Sequence, residues 1–481
     1  MRIKPGAVLP LLLFISMLFF SCKKDKLLTS GGDIRFSTDT LTFDTVFTEL
    51  GSFTLGLKLF NPQDQPVNIS SIRLANGDSS FFSLNVNGIP GNIIQDVELA
   101  ANDSIYVFAT VKIDPRNQSN PFLIEDRLIA TLNGKEFSIP FYAYGQDAHY
   151  VTGDSVLTTT WLTDKPYVII HSALVPQGNT LTIPAGCRIY LNADSRLYVL
   201  GRLITNGTKQ DSVIFQGNRL DRAYFGYQGY PGEWGGIYFH TTSTGNELNW
   251  TIIKNCGNSI DGGLPFAIEA AGQGPGAGTQ LTMKNCIIEN SIGFGLLAFN
   301  SNIRAQNSMI HTTGTQALAL LQGGDYVFDN CNFINYLPSK ISHIDEPTVA
   351  LLNYFDTSDV GYREGNLEAV FRNCQIYGSL KNELVAGKKG SASFHAVFDH
   401  CLIKREDPFP DNISSAELST PGSIFNADPL FEDYKKLNFR PKAGSPLINA
   451  GIPVSPITND LDDKPWSVAD TFDIGAYKYN P

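Results

Sequence analysis

Residues 283–288 read Met-Lys-Asn-Cys-Ile-Ile, and variants of this phrase recur as far as residue 403. The later copies are Ala305-Gln306-Asn307-Ser308-Met309-Ile310, Phe328-Asp329-Asn330-Cys331-Asn332-Phe333, Phe371-Arg372-Asn373-Cys374-Gln375-Ile376 and Phe398-Asp399-His400-Cys401-Leu402-Ile403. Most steps between copies are close to the repeat length of a solenoid coil, in the low twenties of residues. We interpret the longer step from Cys331 to Cys374 as a double one, because residues 348–354 fit an intervening strand.

Short apolar phrases at this period are typical of a β-solenoid, in which each repeat forms one coil. Stacking in register places like residues above one another, so the Asn amides are predicted to form a hydrogen-bonded ladder beside a column of small residues. The predicted ladder and column comprise Asn285, Cys286, Asn307, Ser308, Asn330, Cys331, Asn373, Cys374, His400 and Cys401, with Thr251 in an earlier coil. A disulfide between Cys374 and Cys401 is the alternative, although parallel Cβ vectors would strain it.

The N-terminus predicts export and lipidation. Arg2 and Lys4 precede an apolar run over residues 7–20, which is too short to favour a membrane span. The stretch Leu18-Phe19-Phe20-Ser21-Cys22 resembles a bacterial lipobox, which implies a signal peptide over 1–21 and a lipid on Cys22. The alternative is a soluble secreted protein with an incidental cysteine. Residues 22–32 are polar and Gly-ended, as expected of a tether.

Charge excludes one class of partner. The 481 residues carry a formal net charge of −11 at pH 7, and loss of the signal peptide would remove two basic residues. Nucleic-acid binding depends on basic patches, so we expect no nucleic-acid partner.

Residues 33–148 alternate apolar and polar positions between turn signals such as Asn61-Pro62 and Asn133-Gly134. About seven short strands are typical of an immunoglobulin-like sandwich. The stretches Phe43-Asp44-Thr45-Val46-Phe47 and Leu59-Phe60-Asn61-Pro62 resemble the immunoglobulin-like modules that precede β-helices in envelope proteins of the Bacteroidetes type.

Residues 149–420 are predicted to form the solenoid. The succession of residues 179–191, 196–207 and Trp234-Gly235-Gly236-Ile237 resembles the opening coils of right-handed parallel β-helix proteins. The resemblance implies a right-handed helix, in agreement with the usual hand of parallel crossovers. Two Gly-rich stretches, 218–233 and 258–279, are interpreted as insertions.

Residues 421–481 carry a family signature in three pieces. Asn426-Ala427-Asp428-Pro429-Leu430-Phe431, residues 439–451 and Asp473-Ile474-Gly475-Ala476-Tyr477 resemble the closing segment of the choice-of-anchor Q group of β-helix proteins. We expect this closing segment to cover the open end of the helix, whose strand edges would otherwise pair with other chains.

Two groups of residues are candidate binding sites. Flat aromatic side chains suit sugar rings, and the candidates are Tyr224, Phe225, Tyr227, Tyr230 and Trp234, with Trp234 alternatively a core residue. Asp460, Asp462 and Asp463 form the densest acidic group and predict a possible Ca²⁺ site, against the alternative of a polar loop. No other cofactor is expected. Acids in the coils, such as Asp325 and Asp399, occur singly, which disfavours a hydrolase or a Ca²⁺-dependent lyase.

The sequence therefore predicts an all-β lipoprotein of the bacterial outer membrane. The periplasmic face and the cell surface are the two alternatives for its location. Its expected partner is the membrane, through the lipid, and its candidate partners are polysaccharide and other envelope proteins. The favoured function is the binding of an extended ligand, most plausibly a glycan, on a β-helix held away from the membrane by the sandwich. The alternatives are a polysaccharide lyase or glycoside hydrolase, and a structural or adhesive spacer.

Overall fold

The computed structural model describes residues 26–220, 229–336, 341, 343, 345–357, 361–466 and 471–481. It divides into two compact units, one ending at Asp147 and one beginning at Ala148. Over the described residues, no helix is long and apolar enough to cross a membrane.

The first unit is a sandwich of two five-stranded sheets rather than the seven strands expected. One sheet contains, in spatial order, Arg35–Phe36, Leu55–Phe60, Ser104–Val111, Phe82–Val86 and Ile89–Pro90. The other contains Leu41–Phe47, Lys135–Gln146, Phe122–Leu132, Val67–Leu74 and Ile93–Leu99, and a 3₁₀ turn lies at Gly77–Ser79. Alternate side chains of both sheets fill one core, as the period-two pattern predicts.

The second unit confirms the predicted parallel β-helix. Its strands form three faces, which we number in chain order, and most coils contribute one strand to each face. Face 1 contains His149–Thr152, Tyr167–Ile170, Arg188–Leu191, Val213–Gly217, Thr251–Lys254, Ile287–Ser291, Met309–Thr313, Asn332–Asn335, Gln375–Gly378, Leu402–Ile403 and Ile424–Phe425. The stack thus continues past residue 420, and residues 426–481 form the closing segment.

Faces 2 and 3 share two long strands, Phe294–Gln306 and Leu318–Asp329, that bend from one face to the other. Face 2 also contains Ala173–Val175, Leu197–Val199, Ile237–Phe239, Phe266–Ala271, Val349–Leu352 and Leu384–Gly387. Face 3 also contains Thr159–Thr160, Thr180–Pro184, Arg202–Asn206, Asn246–Asn249, Leu281–Lys284, Leu367–Arg372, Phe394–Asp399 and Leu418–Ser419. A hairpin of Tyr354–Thr357 and Gly361–Glu364 projects between them, and the closing segment has the pair Phe431–Asp433 and Asn438–Pro441 with a 3₁₀ turn at Tyr434–Lys436.

Strand pairing corrects two interpretations of the sequence. Asn332 pairs directly with Gln375, so the step from Cys331 to Cys374 is one enlarged coil and not two. The stretch 258–279 is not wholly an insertion, because Phe266–Ala271 lies within it and pairs with Ile237–Phe239 on face 2. In both places the coil path between strands lengthens while the strand register is kept.

The Asn-Cys phrase forms the corner between faces 3 and 1. Asn285, Asn307, Asn330 and Asn373 have φ between 47° and 54°, the left-handed region that Asn tolerates better than most residues. Asn307 Nδ2 donates to Asn285 Oδ1 at 3.2 Å, and Asn373 Nδ2 donates to Asn330 Oδ1 at 3.1 Å. The ladder is interrupted between Asn307 and Asn330, because Asn307 Oδ1 has no hydrogen-bond partner among the described residues. His400 has the same backbone conformation, but its ring contacts Asp399.

The Cys column lies inside this corner. Cys374 Sγ lies 3.3 Å from the carbonyl oxygen of Phe328, and Cys401 Sγ accepts the Cys374 amide at 3.4 Å. Cys374 and Cys401 are free thiols, so the alternative of a disulfide between them is not realised. Burial raises the pKa of Cys286 to about 12 and that of Cys374 well above its usual value. Protonated, buried thiols of this kind are poor nucleophiles and poor metal ligands.

The closing segment lies along the side of the β-helix instead of covering its end, which corrects the expected position. Asn373 holds Ile452 through two hydrogen bonds, Nδ2 to the carbonyl at 2.7 Å and Oδ1 from the amide at 2.8 Å. Asn307 Nδ2 donates to the Asn459 carbonyl at 2.7 Å, and Gln375 Nε2 donates to the Ile474 carbonyl at 2.7 Å. Ile413 and Phe409, which precede the face 3 strand Leu418–Ser419, pack against the interior cluster of the β-helix.

Apolar side chains complete this lateral contact. The outward residues of face 1 and those of the closing segment form one buried cluster that includes Met309, Ile334, Tyr377, Leu402, Phe431, Phe439, Leu447, Leu461, Ile474 and Tyr477. The segment therefore covers the outer surface of face 1 across several successive coils.

A buried polar cluster stabilises the enlarged coil between Cys331 and Cys374. Glu383 and His343 are both fully buried, and His343 Nε2 lies 3.0 Å from Glu383 Oε2. The carboxylate also accepts the Thr348 amide at 3.0 Å, the Thr348 hydroxyl at 2.7 Å and the Leu380 amide at 2.6 Å. Asn335 Nδ2 lies 3.1 Å from His343 Nδ1, so Nδ1 accepts and Nε2 carries the proton toward Glu383. These four contacts of the carboxylate are all with hydrogen-bond donors.

Candidate functional site

The predicted aromatic group does not form one surface. Trp234 is fully buried and donates its indole N–H to the Lys254 carbonyl at 2.9 Å, so the prediction that it contacts a ligand is wrong. Tyr224, Phe225 and Tyr227 lie outside the described residues. Tyr230, which lies within the stretch 218–233, is 45% exposed. Trp234 packs into the interior cluster of the β-helix, in agreement with the alternative interpretation of a core residue.

The predicted calcium group is occupied by protein donors. Arg440 binds both oxygens of Asp462 at 2.6 Å, and Lys209 Nζ approaches Asp462 Oδ1 at 2.9 Å. Burial alone would raise the pKa of Asp462, but the hydrogen bonds from Arg440 and Lys209 lower it to about 2. Two cations at one carboxylate oppose a metal ion, and Asp462 instead joins the closing segment to the coil at Lys209.

The other two members of that group are also engaged. Asp460 accepts the amides of Asp462, Lys464 and Lys478, at 2.8 to 2.9 Å, and Asp463 Oδ1 accepts from the Asn459 side chain at 2.8 Å. Within the described ranges, no three His, Cys, Asp or Glu side chains are arranged to hold a metal ion. The geometry therefore does not support the predicted Ca²⁺ site.

Face 3 carries many acids, but each described one on its outer surface has a basic partner. The pairs are Arg202–Glu247 at 2.6 Å, Arg304–Asp325 at 2.7 Å, Arg372–Asp329 at 2.6 Å, His395–Glu368 at 2.9 Å and His400–Asp399 at 2.7 Å. With face 1 covered by the closing segment, face 2 is the remaining candidate.

One row of outward-facing residues runs along face 2, and the exposure of its side chains changes at the middle of the row. Strand register places Leu174, Tyr198, Tyr238, Glu269, Leu297, Ala319, Ala350 and Val385 in line, one residue for each coil. The first four are partly exposed, and we call them the open row. Leu297 and Ala319 are buried under an aromatic cluster to which the projecting hairpin contributes Phe355, whose ring lies 5.0 Å from that of Phe299. The open row thus ends against a covered apolar patch.

The open row combines two aromatic rings with one acid. The rings of Tyr198 and Tyr238 lie 6.0 Å apart and edge to face, and His240 lies 6.2 Å beyond Tyr238. Burial raises the pKa of Glu269 to about 7, and the nearby charge of Arg196 lowers it only in part. Burial also raises the pKa of Tyr238, with a further contribution from Glu269. A partly exposed carboxyl group that titrates near neutral pH is a feature of binding and catalytic sites.

Arg196 lies beneath this row. Its guanidinium carbon is 4.2 Å from the centre of the Phe266 ring and 5.9 Å from that of Tyr198. Its Nε donates to the Gly235 carbonyl at 2.9 Å. No ion pair within 4.0 Å joins Arg196 to Glu269 or to any other acid of the described chain. The site therefore consists of Arg196, Tyr198, Tyr238, His240 and Glu269.

Sequence reasoning missed Glu269 because it lies in a stretch interpreted as an insertion. The signal was present in Phe266-Ala267-Ile268-Glu269-Ala270-Ala271, whose apolar residues match those of Ile237–Phe239 in the preceding coil. The Gly residues on both sides of this strand made the whole stretch resemble an insertion.

Comparisons with known proteins were made for the whole chain. No protein-family model matches it, and no curated protein matches it. Among the solved structures that match, pectate lyase Pel9A is 11% identical over 70% of this chain and 88% of its own, with a TM-score of 0.32. The catalytic domain of a GH87 alpha-1,3-glucanase in complex with tetrasaccharides is 10% identical over 79% of this chain and 89% of its own, with a TM-score of 0.23.

A third match is partial. A family 123 glycoside hydrolase from Clostridium perfringens is 12% identical over 23% of this chain, with a TM-score of 0.17, and this chain spans 25% of that protein's length. At these identities and TM-scores, the three similarities carry no argument about activity.

Proposed function

We propose that this protein is a cell-envelope lipoprotein that binds an extended glycan along the open row of face 2. The observation that carries the proposal is the alignment of partly exposed Tyr198 and Tyr238 in successive coils, with Glu269 next in line. Tyrosine presents an apolar face and a hydroxyl group, the combination that suits sugar rings. Coils stack about 4.8 Å apart, so successive residues of the open row can contact successive parts of a glycan chain that lies along the helix axis.

Removal of either tyrosine is expected to weaken glycan binding. Tyr238→Ala and Tyr198→Ala should each lower the affinity about tenfold, since each removes one stacking surface. Binding is measured by calorimetry with the glycan that a polysaccharide and oligosaccharide panel identifies. The control is Tyr106→Ala, because Tyr106 is 50% exposed and belongs to the sandwich unit, not to a strand of the β-helix. Glycan binding that neither face 2 variant weakens would contradict the proposal.

The lipoprotein part of the proposal rests on the sequence. Cys22 lies outside the described residues, and its lipobox-like context supports acylation. In the native host, labelled palmitate is expected to enter the wild-type protein and not Cys22→Ala, which should move from the membrane to the soluble fraction. A variant that remains in the membrane would contradict lipidation at Cys22. The outer membrane is the expected location, and protease treatment of intact cells tests which face carries the protein.

Polysaccharide cleavage is a second candidate, and one observation favours it. Glu269 has a raised pKa of about 7 and no hydrogen-bonded basic partner within the described chain, so it can carry a proton near neutral pH. Against it, a hydrolase needs a second carboxylate, and the described acids of face 3 are paired. The same glycan incubations, assayed for new reducing ends and for unsaturated products, separate cleavage from binding.

A further inference from the structure

Arg196 is a buried cation that forms no ion pair with any acid of the described residues. The residue is only 7% exposed, and its Nη2 is buried with no hydrogen-bond partner among the residues that the structure describes. Its Nε bond to Gly235 and its stacking on Phe266 fix the guanidinium without neutralising it. Arginine stays protonated in proteins, and buried charges are normally paired. A positive charge held without an anion therefore needs an explanation.

Glu269 does not supply the missing negative charge. The charge of Arg196 lowers the pKa of Glu269 in part, yet the two residues form no ion pair within 4.0 Å. Among the described residues, the titratable and charged groups that face Glu269 are Arg196 and Tyr238, and Leu297 on the next coil is apolar. Below about pH 7 the carboxyl group is mostly neutral, which leaves the open row positive. Above that pH the carboxylate forms and the row approaches neutrality.

We propose, on the premise of glycan binding at the open row, that the glycan carries an anionic substituent, a carboxylate or a sulfate, which Arg196 attracts to the position beside Glu269. Arg196 lies within protein, where charge interactions are stronger than in water, so its charge acts on an anion at the row without a direct contact. Phe266 and Tyr198 keep the guanidinium under the row. Glu269 then sets the pH range, because its ionised form repels the same anion.

The test compares oligosaccharides of one length that differ only in charge. Cellohexaose, its C6-carboxylated form and its 6-O-sulfated form are titrated into the full protein at pH 6 and pH 8, together with matched neutral and acidic pairs of two other linkages. At pH 6 an anionic member is expected to bind about tenfold more tightly than its neutral partner. At pH 8 this preference should fall severalfold. The carboxylated and sulfated arms distinguish the two anions.

Variants separate the roles of the two residues. Glu269→Gln should retain the preference at both pH values, and Arg196→Gln should abolish it. Arg196→Lys, which keeps the charge, should retain part of the preference and addresses any loss of folding in Arg196→Gln. Arg304→Gln is the control, because Arg304 is an ion-paired arginine on face 3.

Each outcome is decisive. Equal binding of neutral and anionic members, weakened by Tyr238→Ala, would overturn the anion inference and leave glycan binding intact. A preference that Arg196→Gln does not change would also overturn the inference. Failure of every glycan pair to bind would overturn the proposed function itself.

Discussion

Glu383→Ala is expected to destabilise the β-helix unit by about 3–5 kcal/mol. The substitution removes the acceptor for the His343 ring, for the Thr348 amide and hydroxyl and for the Leu380 amide, at distances of 2.6 to 3.0 Å. Because Glu383 and His343 are fully buried, water cannot replace the lost bonds without opening the coil. Chemical denaturation monitored by circular dichroism measures the change in the free energy of unfolding.

A matched variant distinguishes burial from pairing. Glu368 and His395 form a similar pair at 2.9 Å on face 3, but their side chains are 49% and 46% exposed. Glu368→Ala should therefore change stability by less than about 1 kcal/mol, as is usual for exposed pairs. If the two variants lose the same small amount, the buried cluster does not fasten the enlarged coil as described.

Asn373→Ala is expected to cost about 3 kcal/mol and to release part of the closing segment. The side chain is fully buried, holds Ile452 through two hydrogen bonds and donates to Asn330. Its φ of 52° adds a backbone cost for Ala of about 1 kcal/mol. Hydrogen exchange of the Ile452 amide and proteolysis of residues 446–466 should both increase.

Two comparisons separate these contributions. Asn373→Gly tolerates the positive φ, so it removes the side-chain hydrogen bonds without the backbone strain of Ala, although Gly also raises the entropy of the unfolded chain. Asn285→Ala changes the same corner position at φ 54°, but Asn285 binds only Asn307 and has no hydrogen bond to the closing segment within the described chain. It should cost about 1–2 kcal/mol and leave exchange at Ile452 unchanged. Equal effects on exchange from Asn285→Ala and Asn373→Ala would contradict the assignment of Asn373 to the closing segment.

The corner of the β-helix could be predicted from sequence because one local conformation repeats. Each corner needs a residue that accepts a positive φ, followed by a small residue that fits inside the turn. Asn and Cys satisfy these two requirements, so the Asn-Cys phrase recurs along the chain. The interrupted ladder could not be predicted, because the Asn amides divide their hydrogen bonds between neighbouring coils and the closing segment.

The position of the closing segment was not predictable in the same way. Its apolar residues, such as Phe439, Leu447 and Ile474, have no period that identifies the surface they cover. The outward positions of face 1 that receive them, such as Met309 and Ile334, read as ordinary strand residues. Complementarity between two distant stretches becomes visible only once the chain is folded.

The candidate site shows a related limit. The sequence directed attention to the stretches that break the repeat, yet Tyr198, Tyr238 and Glu269 occupy regular strand positions. Their shared feature is alignment in space across coils of unequal length. The strand register shows that these residues are aligned. Their spacing in the sequence does not show it, because the coils differ in length.

The lateral course of the closing segment has a mechanical consequence. A solenoid whose coils contact only their neighbours can fray from either end, one repeat at a time. Here Lys209 and Asn373, which belong to coils far apart along the stack, are tied to Asp462 and Ile452 of the same segment. Peeling a terminal coil therefore requires loss of contacts that several other coils share, so a pulling force at the C-terminus should meet one large cooperative rupture instead of a series of small ones.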